Sequence, residues 1–246
     1  MTRLSVNLNK VALLRNSRHT GVPDVLHFAE IAKEAGADGL TVHPRPDERH
    51  IRGTDVPALA RLMAPWRPAT ELNIEGYPDE RLLGIVRAAR PEQCTLVPDA
   101  PGAFTSESGW RFGNAESALL RPAIAALKQA AGCRVILFAD PGFREVDRVR
   151  GVGADGIEIY TGAYAAAFRA GDIASALADC VDTARRATDA GLTVNVGHDL
   201  SLENLPPFMA AMPPIAEASI GHELTADALE IGFAAAVKAY RAALNP

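Results

Sequence analysis

The chain has 246 residues, 48% hydrophobic and 22% charged, and its 25 basic against 30 acidic residues leave a formal net charge of -5. That is ordinary globular arithmetic, and mild acidity without any block of consecutive Lys or Arg argues against a phosphate-backbone footprint for nucleic acid. No apolar run approaches the roughly 20 residues that cross a bilayer, and the opening MTRLSVNLNK lacks the apolar stretch of a secretory signal, so a cytoplasmic protein with no membrane partner is expected.

Short β-branched runs alternate with Ala-rich amphipathic stretches, the pattern of repeated βα units around a parallel sheet. The first strand is expected from Leu4 to Asn9, followed by a helix that Asp24 caps and that runs to Ala35, with Gly36 beyond it. The second, Gly39 to His43, leads to a helix opened by Thr54-Asp55 and stopping near Pro65. Then come strand Ala69 to Glu75 with helix Pro78 to Arg90, strand Gln93 to Pro98 with helix Ala115 to Ala131, and strand Arg134 to Asp140 with a short helix Arg144 to Val152. The last units pair strand Gly156 to Thr161 with helix Asp172 to Ala190, Leu192 to His198 with Ser201 to Ala211, and Ala218 to His222 with Thr225 to Leu244. With no Pro/Gly/Ser linker and no composition shift, the pattern fits an α/β fold of one domain over residues 1–246. That domain is a single (β/α)8 TIM barrel with a parallel eight-stranded core, and a doubly wound open sheet is the main alternative. The segment AGADGLTVH, ending at His43, is echoed by VGADGIEIY, ending at Tyr160, as recurring helix-to-strand corners would be.

Several motifs fall away on context. Cys94, Cys133 and Cys180 form no CxxC and read as reduced, packed thiols. Gly151 to Gly156 spells GxGxxG but precedes a strand, which defeats the dinucleotide reading. There is no Walker A loop, GxSxG elbow or HExxH, and the spacing of His43 and His50 does not specify a zinc site. The only lysines are Lys10, Lys33, Lys128 and Lys238.

Barrel active sites lie at the C-terminal ends of the strands. Asn7 and Asn9 end the first apolar run, His43 the second, Glu75 the third and Asp140 the fifth; Glu158 and Thr161 fall in or just after the sixth, His198 ends the seventh and His222 the eighth. Taken singly, each can simply cap the next helix. Together, His43, Glu75 and His198 would point into one mouth, where imidazoles titrating near neutrality and a glutamate raised toward it can move several protons. GHDLSLEN, beginning at Gly197, and GHELTAD, beginning at Gly221, each pass from a strand end through a Gly-His corner into a Ser or Thr cap and a helix, the usual seat of an anion after strands seven and eight. Lys10, Arg15 and Arg18 follow the first strand and Arg45, Arg49, His50 and Arg52 the second. That local excess suits a phosphorylated substrate, with solvated surface charge as the plainer alternative.

At VNLNKVALLRNSR, TVHPRPDERHI, NIEG, CTLVPD, IEIYTGAY, VNVGHDL and SIGHEL the chain resembles the pyridoxine 5'-phosphate synthase family, barrel enzymes that close the vitamin B6 ring. The match runs in order over nearly the whole length, and the spacing of His43, Arg45 and His50 is its most specific part. The resemblance implies condensation of 3-amino-2-oxopropyl phosphate with 1-deoxy-D-xylulose 5-phosphate, without cofactor or metal, in octamers of barrels. It implies His43 and Glu75 as general bases, His198 as general acid and Glu158 as a carboxylate that stabilises a charged transition state. Asn7, Arg18, Asp199, Gly221 and His222 fall where the aminoketone phosphate is held; Arg45, His50 and Thr105 fall where the deoxyxylulose phosphate is held. Two places depart from the more familiar motif: Asn9 and Lys10 stand where it has Asp-His, and Asp199 where it has glycine. Lys10 is expected to offer its charge to the deoxyxylulose substrate, and a phosphate contact at Asp199 must come through backbone N–H. The alternatives are another phosphosugar barrel, an isomerase or an aldolase using Lys10 as strand-end nucleophile, and a phosphometabolite-binding barrel without catalysis.

Overall fold

In RLSVN, ELNIE, TVNV and EASI every second residue is polar, and this alternation decides how the strands sit. The computed structural model describes residues 1–99 and 108–246. Its strands β1 (Arg3–Asn7), β2 (Gly39–Val42), β3 (Glu71–Gly76), β4 (Gln93–Leu96), β5 (Arg134–Ala139), β6 (Gly156–Tyr160), β7 (Thr193–Gly197) and β8 (Glu217–Ile220) pair in that order, all parallel, and close into a barrel. β8 returns beside β1, with Ser5 opposite Ser219.

In the alternating strands the apolar half, such as Leu4 and Val6, Leu72 and Ile74, or Val194 and Val196, is buried in the core shared with the helices. The polar half points into the lumen, as bonds between strands that are not sheet neighbours require. Gln93 on β4 donates to Glu217 on β8 at 3.0 Å, and Asn195 on β7 donates to Gln93 at 3.3 Å. Branched apolar side chains ordinarily fill such a lumen. Here Ser5, Thr41, Asn73 and Thr95 are linked side chain to side chain at 2.7, 3.3 and 3.2 Å. These bonds satisfy polar groups that burial alone would penalise.

Around the barrel run α1 (Asn9–Asn16), α2 (Val25–Glu34), α3 (Asp55–Met63), α4 (Glu80–Ala89), α5 (Asn114–Ala131), α6 (Val146–Gly151), α7 (Gly162–Ala170), α8 (Ala174–Asp189), α9 (Leu205–Ala211), α10 (His222–Ile231) and α11 (Phe233–Ala243). Asp24 caps α2 by accepting the Leu26 N–H at 2.9 Å. The strands and helices expected from the sequence are present, shifted by a few residues. Two helices go beyond them: α1 and α7 follow their strands directly, with no side-chain cap to announce them. The run expected from Thr225 to Leu244 is two helices, broken at Gly232, whose φ of 85° suits glycine. Thr225 is not a cap: it lies inside α10 and its hydroxyl donates to the Gly221 carbonyl at 2.7 Å. Cys94, Cys133 and Cys180 are buried free thiols, with burial pushing Cys133 up to about 11 and Cys180 to about 12. Among the described residues, no helix is long and apolar enough to cross a membrane.

Candidate active site

Carried to the C-terminal ends of the strands, the polar alternation places Asn7, Glu75 and Glu158 in the lumen mouth, and the corners just beyond add His43 and His198. Glu75 is central. It is 5% exposed, with its carboxyl 3.9 Å from His43 Nδ1 and 3.5 Å from Asn7 Nδ2. Burial first, then the negative charge of Asp99, push it up to about 7, against hydrogen bonds from the Asn9 and Asn7 side chains that pull it down. Glu158 on β6 is 1% exposed. Burial, followed by the neighbouring Glu75 and Glu217, raises it well above the carboxylate range. Among the described residues its Oε2 has no hydrogen-bond partner, nor has Oδ1 of Asn195, its register partner on β7. Gly197 makes room for this carboxyl, because a Cβ there would run into Glu158 Oε1.

His43 is buried, and desolvation followed by the charge of Arg45 lowers its pKa well below the ordinary value. It is therefore a neutral imidazole at pH 7, able to accept a proton. Its ring centroid lies 6.0 Å from that of His50. His50 is lowered to about 4 by burial and then by Arg45 and Lys10. Since His50 Nδ1 accepts the Ile51 N–H at 2.9 Å, its ring proton sits on Nε2, where it can donate.

His198 stands among aromatic rings, its centroid 5.0 Å from Phe138 and 5.4 Å from Tyr160. Burial lowers its pKa, and the negative charges of Asp199 and Asp99 oppose that. His198 and Asp199 have φ of 73° and 45°, left-handed values that most side chains avoid and aspartate tolerates better than most. That accounts for a position where glycine is the familiar choice. The Thr161 hydroxyl donates to the carbonyls of both Gly197 and His198, pinning the corner. Beyond it, the Asn204 side chain accepts the Ser201 N–H at 2.9 Å, and α9 begins only at Leu205. Across the mouth, Gly221 precedes α10, whose first residue is the exposed His222. A Cβ on Gly221 would come within 2.9 Å of Asn7 Cβ, so the glycine lets the two strand ends close up.

The basic cluster expected near the N-terminus divides. Lys10 and Arg15 lie on α1 rather than in a loop. Arg15 is a strut: buried, it forks onto Asp55 of α3 at 2.7 and 2.9 Å and donates to the His50 carbonyl at 2.9 Å. Arg49 pairs with Asp47 at 2.5 Å. Arg45 is buried and donates to Asp99 at 2.7 Å. Lys10 is half-buried, and its charge is felt at both His50 and His198. Arg18 is exposed just past α1. Asp140 accepts the Gly109 N–H at 2.7 Å and so holds a loop. Thr105 lies outside the described residues. Among those residues, no three His, Cys, Asp or Glu side chains gather at metal-binding spacing.

Arg81, on α4, escaped the strand-end argument because it belongs to a helix. It donates to the carbonyls of Pro44 and Arg45 at 2.5 and 3.3 Å. With His43, Arg45, Tyr77 and Asp99 it lines a cavity of about 230 Å³ at the mouth. The polar alternation inside the strands was the available signal for Asn195 and the rest of the lumen.

Residues 4–246 match the family described as Pyridoxal phosphate biosynthesis protein PdxJ. Proteins named pyridoxine 5'-phosphate synthase share 51% identity over 244 residues in Albidiferax ferrireducens, covering 97% of this chain and 96% of the relative. In Agrobacterium fabrum the figures are 49% over 241 residues, 97% and 95%. Among solved structures, phosphoribosyl anthranilate isomerase from Thermotoga maritima aligns with a TM-score of 0.58 at 13% identity, covering 99% of this chain and 98% of its own. Tryptophan synthase from M. tuberculosis gives 0.63 at 13%, covering 99% and 94%. At such identity these two likenesses show the fold alone.

Proposed function

The chain belongs to the PdxJ family of pyridoxine 5'-phosphate synthases, and on that premise we propose that its barrel condenses 3-amino-2-oxopropyl phosphate with 1-deoxy-D-xylulose 5-phosphate. The products are pyridoxine 5'-phosphate, inorganic phosphate and water. The observation that carries this reading is the His43–Glu75 pair, a neutral imidazole 3.9 Å from a carboxyl that titrates near 7. Amine and ketone form a Schiff base between the two substrates, which then enolises, loses phosphate, closes the ring and dehydrates. Each step moves a proton, and groups that exist in both protonation states at neutral pH can serve several of them.

His43 takes the first proton, and Glu75 acts as base when ionised and as acid when not. His198 is neutral in the empty site, and a bound phosphate dianion raises its proton affinity, so it becomes an acid once the site is loaded. Glu158 ionises when a cationic iminium forms beside it and so stabilises that charge. The aminoketone phosphate rests at Gly221 and His222, where the first turn of α10 offers backbone N–H groups, with Asn7 alongside, Arg18 as a further cation for it and Asp199 contributing only backbone. Arg45, His50 and Lys10 hold the other phosphate, with Thr105. Fixing both ends removes much of the entropic cost of a bimolecular condensation. Octamers remain part of the proposal. Leu14, Val22, Leu229 and Ile231, exposed around a cavity of about 1060 Å³ bounded by α1, α2, α10 and α11, supply an apolar surface for contact between copies, and sedimentation tests it.

The deciding experiment mixes the purified, metal-chelated protein with both substrates and follows product by absorbance and mass. Product forms, and Glu75→Gln forms it at least about 100-fold more slowly with phosphate-ligand affinity unchanged. No product from protein shown to bind both substrates overturns the reading.

A further inference from the structure

A primary amide has one accepting and one donating end, and its surroundings decide which faces where. The Asn7 Oδ1 accepts the Asn9 backbone N–H at 2.9 Å, and the Asn9 Oδ1 accepts the His43 backbone N–H at 2.9 Å. With both oxygens held by backbone donors, both amide nitrogens are left for Glu75. Asn7 Nδ2 lies 3.5 Å from Glu75 Oε2, and the Asn9 amide is near enough to that carboxyl to help hold its pKa down. One short side chain at the junction of β1 and α1 thus bonds to the β2 end and faces the β3 end.

We propose that Asn9 is a positioning residue of this site: its amide oxygen fixes the His43 backbone while its amide nitrogen donates to Glu75, setting the separation of the two proton-transfer groups. What the pair does rests on the function proposed above, but the role of Asn9 is measurable without turnover. The chemistry favours an amide here over the isosteric carboxylate. Glu75 already faces Asp99 beyond β4, Glu158 on β6 and Glu217 on β8, together with the His43 imidazole and the Cys94 thiol. An aspartate at position 9 would still accept the His43 N–H but would turn its second oxygen toward Glu75, and buried carboxylates in contact do not both ionise. The amide also supplies a donor that favours the ionised form of Glu75.

The test titrates substrate-free protein labelled with ¹³C at glutamate carboxyls, the Glu75 signal being the one lost in Glu75→Gln. In Asn9→Asp the Glu75 midpoint rises by about one pH unit or more; in Asn9→Ala it rises by less. Asn9→Asp is isosteric and keeps the acceptor for His43, and if either variant fails to fold the other carries the same readout. In turnover, Asn9→Ala loses roughly tenfold in kcat with both KM values unchanged, and Asn9→Asp moves the acid limb of the rate profile upward. An unmoved Glu75 midpoint in folded variants overturns the proposal. So does a raised KM for one substrate with kcat and acid limb intact, which would make Asn9 a substrate contact. If the parent protein makes no product, the proposed function fails while the titration still decides the part played by Asn9.

Discussion

At the N-terminal end of the barrel lumen Glu71 sits between Arg3 and Arg134, bonded to both guanidinium groups; at the C-terminal end Glu75 sits between an imidazole and two amides. Both carboxyls are buried. For Glu71, burial pushes the pKa up, but hydrogen bonds from Arg3 and Arg134 more than offset it and hold the group below the usual carboxylate range. Glu75 has no guanidinium among the causes of its shift and rises to about 7. Glu217 shows both influences at once: burial raises it, while Arg3 and Gln93 restrain the rise. The contrast shows that burial makes a group reactive only where formal charge is left without a compensating partner. One end of the lumen stabilises the barrel, and the other stores proton affinity.

Three measurements press on that contrast. The fold binds the protonated form of Glu75, so its stabilising contribution is complete below the ordinary 4.5 and disappears as pH rises through about 7. Glu75→Gln is therefore more stable than the parent at pH 8, by on the order of 3 kcal/mol in urea denaturation, with the gap closing toward pH 4. A gap independent of pH would break the comparison. Glu71→Ala goes the other way and loses about 2 kcal/mol at pH 7, less than a fully enclosed ion pair because Arg3 and Arg134 can turn to solvent. The lowered pKa of Glu71 makes its contribution present above the unfolded value and lost as pH falls through the folded one, so this deficit shrinks in acid. The acid limb of turnover stays in place, and a shift there would mean that the two ends are coupled. Arg81→Met is the smallest and sharpest case: freeing the Pro44 and Arg45 carbonyls loosens the loop that carries His43 and lowers kcat roughly tenfold, with stability nearly unchanged. Unchanged kcat would confine the reactive end to the strand ends themselves.

The barrel and the strand-ending His43, Glu75 and His198 were legible because outward-facing apolar residues carry the strand signal and polar residues terminate it. The lumen was less so. A parallel strand is expected to be apolar throughout, and the alternation in β1, β3, β7 and β8 reads as a half-exposed strand until the barrel is closed around it. The basic cluster was counted by charge, whereas Asp47, Asp55 and Asp99, which pair with Arg49, Arg15 and Arg45, become partners only through folding. Neither α1 nor α7 has a capping side chain, so each reads as a continuation of the preceding segment. The Asn7 and Asn9 amides take their direction from backbone N–H groups, information that residue types do not contain.

Closure joins β1 to β8, and the seam is tied by Thr2 and Asn245, which exchange hydrogen bonds of 2.8 and 2.9 Å. Synthesis delivers His43, Glu75 and Glu158 well before β8 exists. Until Gly221 backs onto Asn7, the mouth is open on one side to bulk water, and a carboxyl in water keeps its ordinary acidity. The groups of the mouth therefore keep their ordinary acidity in a growing chain, and the shifts described above arise only once the ring of strands encloses them.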